Sequence, residues 1–252
     1  ITVKLIVIDI INHNFFKKKY NLKSKNKINF FNIGLNIKDL FFFSKQIMSG
    51  KSFMRATHNL FLKKNLKFKD LTADLGSGKK NDYSKLIFKN YKLINNYDFF
   101  KKGYFTKKLN LEKKFKLKSK YKNIILFNVL EHIYNKDILI NSINKSLQLN
   151  GRLELFVPFM YKFHGDPNDY ARYTHVFLSR FLKDNGFKVK TTLIGVGQIS
   201  VINEIILKYV KISLLKVIIS IILSLINKIF FYISKDFKNY YCGIHCSCIK
   251  IK

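Results

Sequence analysis

Leu71-Thr72-Ala73-Asp74-Leu75-Gly76-Ser77-Gly78 is the stretch on which the fold turns. A short apolar strand runs into a Gly-x-Gly turn, and Tyr83, Leu86 and Ile87 then recur at helical spacing, giving a strand, tight loop, helix unit. Residues without a side chain let the backbone approach a ligand, and the following helix N-terminus offers unpaired amides. The same pattern also fits an ordinary turn after a strand, so the residues around it have to decide.

Downstream, Asn123 to Phe127 reads as a second buried strand that ends in Asn128-Val-Leu-Glu-His-Ile133. In open parallel sheets, ligands bind in the crevice outside the carboxyl ends of the strands, so a polar group there is a candidate site. Asn135 or Lys136 leads into a helix with Ile140, Ile143 and Leu147, closed by Asn150 and Gly151 as a C-terminal cap. Leu153, Leu155 and Val157 alternate in a strand that stops at Pro158. Strand, helix, strand in this order predicts an α/β fold with a parallel sheet. A polar segment follows, then a helix with Phe177, Leu178, Phe181 and Leu182 on one face, ended by Gly186, and a strand through Phe187, Val189, Thr191 and Leu193.

Asp74-Leu-Gly-Ser-Gly78, Val129-Leu-Glu-His132, Leu147-Gln-Leu-Asn-Gly151 and Val157-Pro-Phe159 resemble, in order and spacing, class I methyltransferases of the type 11 group. His164-Gly-Asp-Pro-Asn-Asp-Tyr-Ala-Arg-Tyr-Thr174 looks like the His, Pro, Asp-Tyr, Arg signature of a subset found among genes of cell-surface polysaccharide and small-molecule biosynthesis. The resemblance covers about Arg55 to Ile194 and, more loosely, the final strand. It implies a Rossmann-like seven-stranded sheet, mostly parallel with an antiparallel last strand and helices on both faces. It implies S-adenosylmethionine as cofactor and methyl transfer to an oxygen or nitrogen of a small-molecule, sugar or lipid-linked acceptor.

By the same resemblance, Asp74, Gly76, Ser77 and Gly78 match the loop that cradles the cofactor, and Asn128, Val129 and Leu130 would line its pocket. Glu131 and His132 would stand at the edge of the reaction crevice. The segment after Pro158 would be a substrate-facing lid, with Asp166, Tyr170 and Arg172 toward the acceptor. His132 or His164 would take a proton from an acceptor hydroxyl, since an imidazole titrates near neutral pH. A structural reading stands beside this one: Asp169 or Thr174 caps the next helix and Arg172 ties the loop down through a carboxylate. Departures are visible too. Asn95 and Asn96 stand where the family carries an acid for the ribose hydroxyls, with Asp98 as a substitute. Asn110, near Glu112, takes the acidic position by the adenine, and Lys79 and Lys80 replace small residues of the loop. These changes keep a non-catalytic binding or scaffold relative in view.

The domain organisation expected is a low-complexity basic N-terminal extension over 1–50 and a methyltransferase domain over 51–252, with an apolar helical insert at about 201–233. In that insert Ser213, Lys216, Ser220, Ser224 and Lys228 make one narrow polar stripe on a wide apolar helix,. An anionic membrane surface, a twin subunit or the catalytic domain itself would cover it, or it would span a membrane. The formal net charge is +32, from 47 Lys and Arg against 15 Asp and Glu. That charge fits a polyanion partner. The excess of Lys over Arg and the many Asn, Ile and Phe residues also fit an AT-rich coding sequence, and no aromatic RNA-binding signature accompanies the charge, so nucleic acid is not the expected partner. Cys242, Cys246 and Cys248, beside His245, fit a core strand with the thiols on one face rather than a metal cluster, and no metal is expected. The apolar run from Val3 to Ile11 is broken by Asp9 and has no small-residue site after it, unlike a secretory leader. A cytoplasmic location is expected.

Overall fold

Eight strands form one sheet in the order β1-β7-β8-β6-β5-β2-β3-β4. They are β1 (Asn29–Phe31), β2 (Thr72–Leu75), β3 (Ile94–Asp98), β4 (Thr106–Lys108), β5 (Tyr121–Phe127), β6 (Leu147–Pro158), β7 (Phe187–Val196) and β8 (Tyr241–Lys250). The computed structural model describes residues 28–34, 36–78, 83–100 and 106–251. The Val3 to Ile11 run, Lys79 and Lys80 lie outside these described residues.

β5, Tyr-Lys-Asn-Ile-Ile-Leu-Phe, is buried along almost its whole length, as a strand covered by helices on both faces must be. It pairs in parallel with β2 and β6, and β2 pairs in parallel with β3. β8 is antiparallel to both β6 and β7. The mostly parallel sheet with an antiparallel final strand is therefore as expected, but the strand count is eight, not seven. The extra strand is Asn29-Phe-Phe31, which pairs in parallel with the outer edge of β7. The Asn32 side chain holds it there, donating to Val196 O at 3.0 Å and accepting from Val196 N at 2.7 Å. An exposed edge is a row of unpaired backbone groups, and a short strand of this kind covers it.

Helix α1 (Ile37–Met48) starts at Asn36, whose side chain accepts from Asp39 N, and packs Phe43 against Phe53 of α2 (Phe53–Asn65). β1 and α1 are thus joined to the rest of the domain by strand pairing and by core packing. α1 and α2 cover one face together with the short α3 (Ser84–Ile87). The other face carries α4 (Lys136–Ser146) and α5 (His175–Asp184), which bury Leu139, Ile140, Ile143, Leu178 and Leu182. α4 ends at Ser146, and Asn150 and Gly151 lie inside β6. Asn150 has φ 59° there, at a register shift between β5 and β6, so the expected helix cap is a strand irregularity.

The insert is a pair of helices, α6 (Gln198–Ile206) and α7 (Ser213–Ile233). Asn203, Ser220 and Asn227 face inward. Asn227 donates to Val196 O at 2.8 Å and accepts from Ser200 N at 3.3 Å, while Asn203 donates to Ser220 O at 3.2 Å. On β8, Cys246 and Cys248 share one core layer with Ile244, but Cys242 packs into the other. The three thiols therefore do not share a face. Opposite Cys242 the neighbouring strand passes through Gly195 at φ 63°, where an added Cβ would lie 3.0 Å from the Cys242 sulfur.

Candidate active site

A cleft of about 630 Å3 opens at the carboxyl ends of β2, β3 and β5. Gly76 and Gly78 form its floor with φ of 75° and 64°, a region that residues with a Cβ enter only at a cost. A Cβ on Gly76 would sit 2.4 Å from Val129 Cγ2, whereas one on Gly78 would meet nothing within 4 Å. The turn is tied to β3: Gly76 N and Ser77 N donate to Tyr97 O at 2.8 and 3.2 Å. Asp98, the last residue of β3, accepts from Gly78 N at 3.0 Å and from Phe100 N at 2.9 Å. Its carboxylate lines the cleft with Asn110, Asn128 and Val129, against an apolar wall that includes Phe99, Leu111 and Ile133. Glu112 closes the far side, accepting from Tyr134 N and Asn135 N at 2.7 and 3.1 Å.

Asn128 follows β5 with φ 53°, a left-handed conformation that Asn tolerates better than most residues. It separates the cleft from a second, water-sized cavity of about 20 Å3 lined by Arg55, His58, Asn59 and Tyr83. Behind the turn, Tyr83 Oη donates to the Asp74 carboxylate at 2.8 Å, and burial together with that carboxylate pushes the Tyr83 phenol well above its ordinary value.

The roof is the segment between β6 and α5, from which Asp166, Pro167, Asn168 and Tyr170 line the cleft. Arg172 grips the Asp169 carboxylate with two N–H groups, and His164 N donates to the same carboxylate at 2.9 Å. These partners hold Asp169 down to about 2. Thr174 caps α5 by accepting from Phe177 N. Tyr170 N donates to Glu131 O at 2.8 Å, joining the roof to the loop after β5. In that loop the Glu131 carboxylate is fully buried with no hydrogen-bond partner among the described residues, and burial pushes it up to about 8. His132 Nε2 is 3.8 Å from Glu131 Oε1. The His132 and His164 rings meet edge to face with centroids 4.9 Å apart.

Of the residues singled out from the sequence, Gly76, Gly78, Asp98, Asn110, Asn128, Val129, His132, Asp166 and Tyr170 line the cleft, with His164 beside His132. Asp74, Ser77 and Leu130 are buried behind it, and Glu131 lies beneath its edge. Asn95 does not reach it. β3 continues three residues further, so Asn95 sits mid-strand and donates to Tyr121 Oη at 2.9 Å. Arg172 is spent on Asp169 and Lys162 O rather than turned to the cleft. Sequence reasoning missed Arg55, His58 and Asn59, whose only signal is polar residues one helical turn apart among the buried residues of α2. It also missed a buried chain: His58 Nε2 to His245 Nδ1 at 3.0 Å and His245 Nε2 to Glu154 Oε2 at 2.8 Å.

No protein-family model matches the chain, and no curated protein matches it. Solved structures do. One is an S-adenosylmethionine-dependent methyltransferase from Archaeoglobus fulgidus, 12% identical, covering 85% of this chain and 100% of that one with a TM-score of 0.50. The chain has the fold of an S-adenosylmethionine-dependent methyltransferase. A putative S-adenosylmethionine-dependent methyltransferase from Listeria monocytogenes is 11% identical over 79% of this chain and 99% of that one, TM-score 0.48. A coclaurine N-methyltransferase bound to N-methylheliamine and S-adenosylhomocysteine is 12% identical over 86% and 79%, TM-score 0.49. In this methyltransferase fold the cleft lies where β2 has β3 on one side and β5 on the other, the switch point at which open α/β sheets bind ligands.

Proposed function

We propose that the chain transfers a methyl group from S-adenosylmethionine to an oxygen or nitrogen of a small-molecule, sugar or lipid-linked acceptor, in the cytoplasm. The observation that carries this reading is the Asp98 carboxylate on the left-handed Gly76 to Gly78 turn, on the floor of a cleft with an apolar wall. When bound, the cofactor supplies an electrophilic methyl on a sulfonium that leaves as a neutral thioether. The chain's part is to bind and orient.

Asp98 keeps acceptor capacity beyond its two backbone partners, which suits vicinal ribose hydroxyls. The open space over Gly78 suits close approach of a sugar to the backbone. Phe99, Leu111 and Ile133 suit an adenine face, with the Asn110 amide at its edge. Arg55, across Asn128, suits a carboxylate at the other end of the cofactor. Acceptor and methyl must be held in line, and Asp166 and Tyr170 on the roof face the place where the acceptor enters. His132 and His164 meet its proton. Burial pulls His164 below 6.5, leaving a neutral imidazole with a lone pair at physiological pH. A structure determined with S-adenosylhomocysteine tests this: its ribose hydroxyls on Asp98 support the reading, and an empty cleft at saturating ligand opposes it.

α6 and α7 favour a second element of the reading, docking of this face on an anionic bilayer. α7 is inside out. Leu214, Ile218, Ile222, Leu225, Ile229 and Ile233 form one exposed apolar stripe, from 43% exposed at Leu225 to 71% at Ile233. Ser220 and Asn227 are buried. Lys208 and Lys211 precede the helix and Lys235 and Lys238 follow it, and no acidic residue occurs between Glu204 and Asp236. Apolar bulk flanked by Lys suits a helix lying in an anionic interface. Ser213–Ile233 is long and apolar enough to cross a membrane, but Val217 and Asn227 are both buried against the domain. The helix is thus fastened over about 15 Å of its length, which fits lying flat rather than spanning. Sedimentation with phosphatidylglycerol vesicles but not phosphatidylcholine vesicles supports docking. A dimer in solution that hides the face, or no sedimentation with either, opposes it.

A further inference from the structure

We propose that Glu131, His132 and His164 form a binding site for one divalent transition-metal ion of the zinc type. The inference rests on the methyl-transfer reading and deepens it: the two imidazoles act on an acceptor through a shared cation rather than singly. One donor atom from each of the three side chains lies within 4.8 Å of the other two. Two ligand atoms on one tetrahedral zinc, with bonds of about 2.0–2.1 Å, stand about 3.3 Å apart. The 3.8 Å between Glu131 Oε1 and His132 Nε2 and the spacing of up to 4.8 Å across the three donors mean that the side chains must draw together by about 0.5–1.5 Å on binding.

Three further features point to a ligand. First, the Glu131 carboxylate is fully buried with both oxygens lacking a hydrogen-bond partner among the described residues. A carboxylate in such a place is costly unless a cation offsets it. Second, both imidazoles are oriented from behind. His132 Nδ1 meets Asn168 O at 2.5 Å, and His164 Nδ1 meets Lys162 O at 3.3 Å and Asp169 Oδ2 at 3.4 Å. Acceptors on Nδ1 place the hydrogen there and leave Nε2 with its lone pair, which is how the outer partners of metal-bound histidines fix the tautomer. Third, two histidines and one carboxylate are the donor set of open zinc sites, which keep a position for an outside ligand. His132 also lines the cleft, so an oxygen donor on the acceptor would complete the shell.

The test is metal content and cobalt absorption of the full chain. The protein is stripped with a chelator, reloaded with Zn2+ or Co2+, and compared with H164Q, H132Q and E131Q. The expected result is one ion per chain, visible cobalt bands of a nitrogen and oxygen site, and a loss of affinity of at least about 10- to 100-fold in H164Q. His164 sits on the roof segment outside the core, so H164Q is expected to keep the wild-type unfolding profile even where E131Q does not. No retained ion in the wild type overturns the proposal, as does full stoichiometry in both H164Q and H132Q. Binding of S-adenosylhomocysteine by the stripped protein, measured in parallel, keeps this outcome separate from the cofactor reading.

Discussion

The Asp98 carboxylate accepts the backbone N–H of Gly78 at 3.0 Å, so the end of β3 and the turn after β2 behave as one unit. The turn's shape and the position of the only acid on that wall of the cleft among the described residues are set together.

Asp98→Asn is therefore expected to keep the fold and weaken S-adenosylmethionine binding. A hydrogen bond to a charged group contributes about 1.5–3 kcal/mol, or about 10- to 150-fold in Kd. Asn95→Ala, outside the cleft, should leave the isotherm unchanged. Equal losses in both variants would remove Asp98 from its assigned role.

Gly76→Ala meets two obstacles, a left-handed backbone and the Val129 side chain at 2.4 Å. Together these cost about 2–5 kcal/mol, whereas Gly78→Ala meets the backbone term alone, about 1–2 kcal/mol. Urea titration should rank them so, and adding Val129→Ala should return part of the Gly76→Ala loss. The reverse ranking would mean that the turn is built otherwise.

Much of this arrangement is legible in the chain. The apolar strand before Gly76 and the run from Asn123 to Phe127 are local patterns, so the α/β order and the left-handed turn follow from them. Asp98 is harder to read, because Ile-Asn-Asn-Tyr-Asp does not look like a strand until its pairing with β2 shows where it ends. β1 lies in a Lys, Asn and Phe tract, and its strand state comes from the free edge of β7 far away in sequence. In α7 the spacing of Ser213, Lys216, Ser220, Ser224 and Lys228 marks a polar stripe, but spacing carries no sign for which side is buried. Asn227, the residue that fastens the helix, is not in that stripe.

The buried His58, His245 and Glu154 chain, with Arg152 at 3.4 Å from Glu154 and Arg55 on the same helix as His58, makes stability depend on pH. Burial, then His245 and Arg55, hold His58 well below 6.5 in the folded state. The unfolded chain therefore takes up this proton first, so stability is full above about pH 6.5 and falls below it, by up to about 1.4 kcal/mol per pH unit for one group. Urea midpoints from pH 7.5 to 5 should show the fall, and His58→Gln, which keeps a donor toward His245, should flatten it. An unchanged slope in that variant would assign the effect elsewhere.

The inward polar face of α7 predicts a reversal of the usual rule for helices. Ile222→Glu with Ile229→Glu should leave unfolding unchanged and abolish sedimentation with phosphatidylglycerol vesicles. Asn227→Leu removes one partner each of Ser200 N and Val196 O, which keep Gly197 O and Asn32, and should cost about 1–3 kcal/mol. A stable Asn227→Leu protein would contradict the buried polar contact.

Calorimetric titration of the wild-type chain with S-adenosylmethionine decides whether the cleft holds this cofactor. Saturable one-to-one binding in the micromolar range, weakened by Asp98→Asn, is the expected result. No detectable binding at millimolar cofactor would contradict it and leave a methyltransferase fold without its reaction.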